Sequence, residues 1–377
     1  MPEWTIYTLH PRGALHIGER GVGQEETACR VPADTLFAAL VTVWIDAGGQ
    51  EEGWGRAFAP AEEAVNPPFL LTSAFPFAGG VRFYPLPQAD LASLGVEADE
   101  RRKDLRQIEF VSEGIFRRIV TGQSLAGCLP PAEGDPELGC FMQGKALWLT
   151  AEEVASLPEA MRLREDRKAG RPLRALEQVH VWRRTKVPRV AVDRIGSAST
   201  LFHTGRLTFA PDCGLWFGVD WRRPAAALGD GLSWRGAFER ALSLLGDSGL
   251  GGERSVGYGA FQWARGEQVA WDSPAPGALY VTLSRYHPRP SETPGALVAD
   301  PVSYTLVSVA GYLETPTGAA QRRRRLWLAA EGSVLRAVGA GPYGDVTDVR
   351  PRVGDFPHPV WRYGLACPVA VREVRRA

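Results

Sequence analysis

Apolar positions along this chain recur with two periods, one of strands and one of helices. Residues 3–9 (EWTIYTL) are β-branched and aromatic and predict a strand. A glycine-rich polar stretch follows. Leu36, Phe37, Leu40, Val41 and Trp44 then fall on one helical face; Asp34 supplies a capping carboxylate and Gly48 and Gly49 end the helix. Segments 180–193 and 206–220 are strand-like, and the second splits at Pro211 into a hairpin. Ser233 caps a second helix that turns Trp234, Ala237, Phe238, Ala241, Leu242 and Leu245 inward and stops at Gly246. A strand through Tyr258 and Trp263 closes the series. Strand, helix, hairpin, helix, strand is the βαββαβ order of a ferredoxin-like (RRM-like) domain.

Residues 50–175 then read as long insertions into that domain. Within them, 73–87 carries turns and short strands, 103–122 holds a helix on Ile108, Val111, Ile115 and Ile119, and 130–139 is a surface loop. SPAPG (273–277) is a linker. Strand candidates at 278–286, 303–313, 325–330 and 361–371 make a second, smaller unit, read as a reduced copy of the same motif. The expected fold is α+β: two ferredoxin-like domains, 1–272 with insertions and 278–377.

A length of 377 residues with 45% hydrophobic content suits two packed domains. No apolar run is long enough to span a bilayer and no charged n-region precedes an apolar stretch, so no membrane association and a cytoplasmic address are expected. Five cysteines (29, 128, 140, 213, 367) lack CxxC spacing, which predicts reduced, mostly buried thiols. The 43 basic and 43 acidic residues cancel, but 162–206 holds twelve Lys/Arg against four Asp/Glu. A basic stripe on a neutral body fits a phosphate-tracking surface beside protein-facing ones.

The densest signal is GLGGERSVGYGAF (249–261), five of whose thirteen residues are glycine. Such a loop admits positive φ and close backbone approach to a ligand, and exposed N–H groups beside a helix end suit phosphate oxygens. Arg254, Ser255 and Tyr258 lie inside it. No Walker-type lysine follows, and Arg254 stands where GxGxxG needs its third glycine, so nucleotide hydrolysis and dinucleotide binding are excluded. GDSG (246–249) sits at a helix end, the wrong setting for a protease serine. The histidines (10, 16, 180, 203, 287, 358) have no HxxxH or HExxH partners, so neither metal nor cofactor is expected. His10 and His16 follow the first strand, where a metal-independent ribonuclease could place a general base.

Segment 180–206 alternates charge with β-branched residues. Arg184 and Lys186 share a face, with Arg183, Arg189 and Arg194 nearby, and such a hairpin can lie along a phosphate backbone. The run RRRR (322–325) reads as a solvated strand edge, half of its arginines facing away from the core.

HIGERG (16–21), VPADTLFAAL (31–40), RVAVDRIGSASTLFHTGRLTF (189–209), GLGGERSVGYGAF (249–261) and HPVWRYGLACPV (358–369) together resemble a RAMP-superfamily CRISPR protein, in particular subunit four of the type III-A Csm complex. The resemblance covers most of the chain in patches and is weakest over 50–175 and 285–350. It implies two ferredoxin-like domains, recognition of the repeat-derived 5′ tag of crRNA, and contacts to the large polymerase-like subunit and the adjacent backbone RAMP subunit, without RNA cleavage. By the same resemblance Gly249, Gly251, Gly252, Gly257 and Gly259 form the glycine loop, with Arg254 and Ser255 at its polar positions. Arg189, Asp193 and Arg194 belong to a thumb that kinks RNA, and His16 and Gly18 to the loop after the first strand. Glu253 departs from an ideal phosphate cradle and either pairs with a neighbouring arginine or faces a partner. Two alternatives stay open: an endoribonuclease that processes crRNA precursors with His10 or His16, and a scaffold whose neighbours supply the RNA contacts. The equivalent type III-B subunit is a near relative.

Overall fold

The structure is a computed structural model that describes residues 3–18, 26–49, 51–58, 66–96, 101–192, 199–229, 231–298, 300–313, 321–351 and 358–372. Its first ten strands are β1 (Glu3–Pro11), β2 (Phe69–Leu71), β3 (Phe75–Ala78), β4 (Val81–Pro85), β5 (Phe110–Ser112), β6 (Gly139–Met142), β7 (Leu147–Thr150), β8 (Trp182–Val192), β9 (Ser199–Phe209) and β10 (Cys213–Trp221). A nine-stranded sheet runs from the strand Phe261–Ala270 through β1, β10, β3, β4, β5 and β7 to β6, with β2 also on β10. Tyr7 on β1 faces Phe217 on one side and Arg265 on the other. Along β10, Leu215 pairs with Pro76 and Val219 with Leu71.

Three expectations change here. β10 makes no hairpin at Pro211; its partners β2 and β3 come from the stretch read as insertion, and β4 to β7 widen the same sheet. The hairpin is instead β8 with β9, from Trp182↔Phe209 to Val192↔Ser199, outside the main sheet. The helix expected within 103–122 breaks into Arg102–Leu105 and Glu113–Thr121 around β5, and Ser112 caps the second piece by accepting from the Ile115 amide. Residues 130–138 are a loop, as read.

Two long helices cover the sheet. In α1 (Ala33–Asp46) Leu36, Phe37, Leu40, Val43 and Trp44 are buried. The helix Trp234–Ser248 buries all six inward residues expected of it, and Ser233 Oγ accepts from the Gly236 amide. It does not stop at Gly246. Gly246 is instead a helical residue packed so closely on the next strand that a Cβ there would lie 2.8 Å from the Phe261 carbonyl oxygen. α2 (Glu51–Phe58) adds Trp54 and Phe58 to an aromatic cluster. Phe37–Phe58 lies at 4.9 Å, Trp54–Trp234 at 5.5 Å and Phe69–Phe238 at 5.3 Å between ring centroids. These tilted and edge-on pairs each stabilise by roughly 0.5–1.5 kcal/mol beyond area burial.

Residues 278–372 contain short antiparallel strands and, among the described residues, no helix. Leu279–Thr282 pairs with Val334–Arg336 and Pro368–Val371, and Val281, Leu283, Tyr363, Leu365, Cys367 and Val369 join the principal core. All five cysteines are free and buried.

Asp34 is not the cap expected of it. Pro32 precedes the helix and Ser73 Oγ accepts from the Ala33 amide at 2.9 Å. The Asp34 carboxylate, 1% exposed, instead accepts from Arg362 Nη1 and lies 3.6 Å from Arg285 Nη1. Buried Glu331 lies 3.7 Å from Arg285 Nε, 3.8 Å from Arg30 Nε, and accepts from Ser73 Oγ at 2.7 Å. These charges tie α1 and Ser73 to the last hundred residues.

Removing one partner of a buried pair leaves the other charge unpaired. Asp34→Ala should therefore lower the unfolding free energy by about 3–5 kcal/mol in urea titration; a loss under about 1 kcal/mol would contradict the assigned role. Burial pushes the Glu331 carboxyl up, but Arg30, Arg285 and the Ser73 hydroxyl outweigh it and hold the group below its ordinary 4.5. A carboxyl depressed by folding stabilises the native state above its unfolded value and loses that contribution as pH falls through the folded one. Urea midpoints should fall below about pH 4.5 in the wild type and fall less in Glu331→Gln; equal acid limbs would exclude Glu331 as a contributor.

Candidate nucleic-acid interface

The glycine loop leaves the long helix at Gly249 (φ +87°), whose amide still donates to Leu245 O at 2.8 Å. It returns on itself through Leu250 N–H to Gly259 O at 2.9 Å. The segment after β1 runs alongside. Gly252 N–H donates to His16 O at 2.8 Å, Gly259 N–H to Ala14 O at 2.9 Å and Arg12 N–H to Ala260 O at 2.9 Å. On its other side the same segment grips β9: Leu15 and Leu207 exchange N–H···O bonds at 2.8 and 2.9 Å. Glycine loop, residues 12–17 and basic hairpin are thus three adjacent layers.

The glycines serve this packing more than a ligand. A Cβ on Gly251 (φ +94°) would sit 2.3 Å from His16 O, and one on Gly259 (φ +91°) 2.6 Å from Leu250 O. Gly249 and Gly252 are similarly crowded, by Tyr258 O and the His16 ring at 2.9 Å each. The close approach read from the sequence is therefore to the chain's own backbone. Gly257 (φ +89°) and Gly18 have no atom within 4 Å of a Cβ and are the two open positions.

The crest of the loop is a 3-10 turn, Arg254–Val256, entered by Glu253 with φ +59°. Val256 and Tyr258 N–H donate to Glu253 O, and Gly257 N–H to Arg254 O. The Glu253, Arg254 and Ser255 amides donate to no carbonyl among the described residues, as expected at the start of a turn. Arg254 and Ser255 are exposed there. Three outward amides, a guanidinium and a hydroxyl beside an open glycine can hold an anionic oxygen. The Glu253 carboxylate makes no ion pair among the described residues.

His16 is 8% exposed, and its Nδ1 donates to Gly205 O on β9 at 2.8 Å. A carbonyl can only accept, so Nδ1 carries a proton. His10 points elsewhere: it bonds Thr8 Oγ1 at 3.1 Å and sits edge-on to Phe77 at 5.2 Å.

Strand alternation divides the hairpin's basic residues. Arg184 and Lys186 share one face, as expected, but Arg184 Nη2 lies 3.0 Å from Cys29 Sγ and 3.5 Å from Glu109 Oε2, so it is tethered to the body. Burial and Glu109 push that thiol up to about 12. Arg183 and Arg189 project from the other face. The Arg189 guanidinium carbon lies 5.9 Å from the Tyr258 ring centroid, which brings hairpin and glycine loop together through side chains. Asp193 and Arg194 lie outside the described residues. Sequence reading missed Ala14 and Gly205, whose carbonyls hold the layers; backbone acceptors leave no trace in residue type. Among the described residues no group of His, Cys, Asp and Glu converges as a metal site, and no helix is long and apolar enough to cross a membrane.

Residues 275–371 match the family model of the CRISPR Csm4 C-terminal domain. Over 361 residues the chain is 26% identical to the CRISPR system Cms protein Csm4 of Mycobacterium tuberculosis, covering 95% of each chain. It is 25% identical over 374 residues to the protein of that name from Thermococcus onnurineus, covering 98% of each. Among solved structures, a chain of the Csm3–Csm4 subcomplex in the type III-A CRISPR-Cas interference complex shares the fold at TM-score 0.59 and 16% identity, covering 98% of this chain and 100% of that one. The Csm1–Csm4 cassette in complex with cA4 matches at TM-score 0.52 and 19% identity, covering 98% of each. The fold is mixed α+β, like that of the solved Csm3–Csm4 subcomplex, and its last part matches the Csm4 family model. The likeness to Csm4, read first from five motifs, extends over nearly the whole chain.

Gly251→Ala should destabilise far more than Gly257→Ala. The first meets backbone at 2.3 Å, whereas the second has open space and costs only its positive φ, about 1–2 kcal/mol. Denaturant unfolding of the two variants measures this, and equal losses would mean the three layers are not packed as described.

Proposed function

We propose that this chain is the Csm4-type subunit of a type III CRISPR effector complex, that it holds the 5′ repeat-derived tag of crRNA, and that it does not cut RNA. The observation that carries the reading is the contact of Arg189 with Tyr258 beside the His16 bonds, which sets a cationic hairpin against a loop crest of outward amides. Backbone amides, Arg254 and Arg189 would take phosphates, while Ser255 and Tyr258 meet splayed bases of a single strand. Gly18 and Arg183 border the same track, while Lys186 lies on the hairpin's other face with Arg184. In this reading the sheet order of the first unit, with Phe261–Ala270, β1, β10 and β3 side by side, is that of a ferredoxin-like RAMP domain. The Csm1–Csm4 and Csm3–Csm4 assemblies of similar proteins support a large polymerase-like subunit and a backbone RAMP subunit as partners. The settings of His10 and His16 favour a binding role over cleavage.

The tagged chain, isolated from cells with its complex and stripped of bound RNA for sequencing, should yield short species sharing one constant 5′ end. Arg189→Ala and Arg254→Ala should each weaken RNA retention about tenfold, the loss of one charge-assisted contact. RNA with unrelated ends, or retention unchanged in both variants, would overturn the reading. Repeat RNA should remain whole when incubated with the chain in EDTA; cleavage abolished by His16→Ala would favour the ribonuclease.

A further inference from the structure

The arginine run 322–325 has no part in that interface. It lies on a two-stranded ribbon in which Leu306–Val309 pairs with Leu326–Ala329 and Tyr312–Leu313 with Gln321–Arg322. Directly opposed residues share a face. Val307↔Leu328 and Val309↔Leu326 form the inner face, with Leu328 and Val309 buried. Ser308↔Trp327 forms the outer face, and Tyr312↔Arg322 extends it beyond an irregular stretch. Trp327 is 57% exposed and Tyr312 59%.

The arginines divide between the two faces. Arg323 turns inward, where burial and Arg362 pull its guanidinium down to about 10, and Arg324 donates to Asp348 O at 2.6 Å. Arg322 and Arg325 are exposed and make no ion pair among the described residues. Neither 306–313 nor 321–329 contains an acidic residue. Among the described residues of the two strands the outer face is therefore aromatic and cationic.

We propose that this ribbon is a second binding site, specific for single-stranded nucleic acid, in which Trp327 and Tyr312 stack bases and Arg325 and Arg322 take phosphates. Exposed rings beside exposed guanidinium groups complement a polyanion whose units carry flat π-faces. Ser308, opposite Trp327, and Tyr312 are four residues apart, roughly 13 Å along an extended strand, so the rings engage bases that are not adjacent. Arg325 is two residues from Trp327 and Arg322 opposes Tyr312, which gives each ring its own cation. The site stands on its own residues and does not depend on the tag-binding reading.

The test uses the full chain carrying Arg189→Ala and Arg254→Ala, so that the first interface is weakened, and a short oligouridylate containing 5-iodouracil. Photocrosslinking followed by mass spectrometry should place adducts on Trp327 or Tyr312. In fluorescence anisotropy Trp327→Ala should weaken binding about tenfold, Trp327→Phe should retain most of it, and Arg322→Ala with Arg325→Ala should reduce the salt slope by about 1.4. Adducts confined to 182–209 and 249–260, or affinity unchanged in Trp327→Ala, would overturn the proposal. So would footprinting of the assembled complex in which the ribbon stays protected after ribonuclease treatment, because a protein would then cover it. Adducts on the ribbon alone would uphold this site, and the tag-binding reading keeps its own test in the chain without these two substitutions.

Discussion

Backbone pressed on backbone is the constraint from which the proposed interface follows. Gly252 N–H meets His16 O at 2.8 Å, and Gly251 leaves no room there for even one methyl group. Because that approach is so close, the loop after β1 is held between the glycine loop and β9. His16 extends the contact sideways through its ring to Gly205 O. Two segments about sixty residues apart in sequence thereby become neighbours, and the crest at 253–255 is set beside Arg189. Preorganised donors cost little further ordering when a flexible strand arrives, which is what a site for single-stranded RNA requires.

A second constraint works at the other end of α1. Asp34 and Glu331 lie buried among Arg285, Arg362 and Arg30, and these charges come from segments far apart in sequence. The Arg285–Asp34, Arg285–Glu331 and Arg30–Glu331 separations of 3.6, 3.7 and 3.8 Å are too long for hydrogen bonds, so these pairs act through Coulomb attraction in a poorly screened interior. Around it the aromatic cluster of Phe37, Trp54, Phe58 and Tyr363 spans the same junction. The last hundred residues are thus packed into the principal core, while the ribbon bearing Trp327 stands at its surface with an aromatic face left exposed.

Local signals were legible in the sequence. β1, the inward face of the helix Trp234–Ser248, its Ser233 cap and the positive-φ loop after it all rest on periodicity or on residues with one dominant conformational use. What escaped were long-range pairings. β2 and β3 are three and four residues long and wholly buried, so they show no alternation, and their partner β10 lies far downstream. Asp34 looks like a cap because its true partner, Arg362, is 328 positions away. The loop's glycines announced unusual backbone but not what it would touch, and the touching atoms are carbonyls of Ala14 and His16. The run 322–325 read as a solvated edge, and half of it faces solvent as expected. Which half, and that Trp327 and Tyr312 share its face, came only with the register.

The central claim is that hairpin, residues 12–18 and glycine loop act as one RNA-gripping unit. Hydrogen–deuterium exchange on the assembled complex, with its RNA present and after ribonuclease digestion, tests this most directly. The account predicts that the amides of 253–255, and those of the hairpin not bonded between β8 and β9, lose protection together when the RNA is removed, while those of Gly252 and Gly259, bonded to the chain itself, keep theirs. Unchanged exchange at the crest and the hairpin, or loss confined to other surfaces, would contradict it.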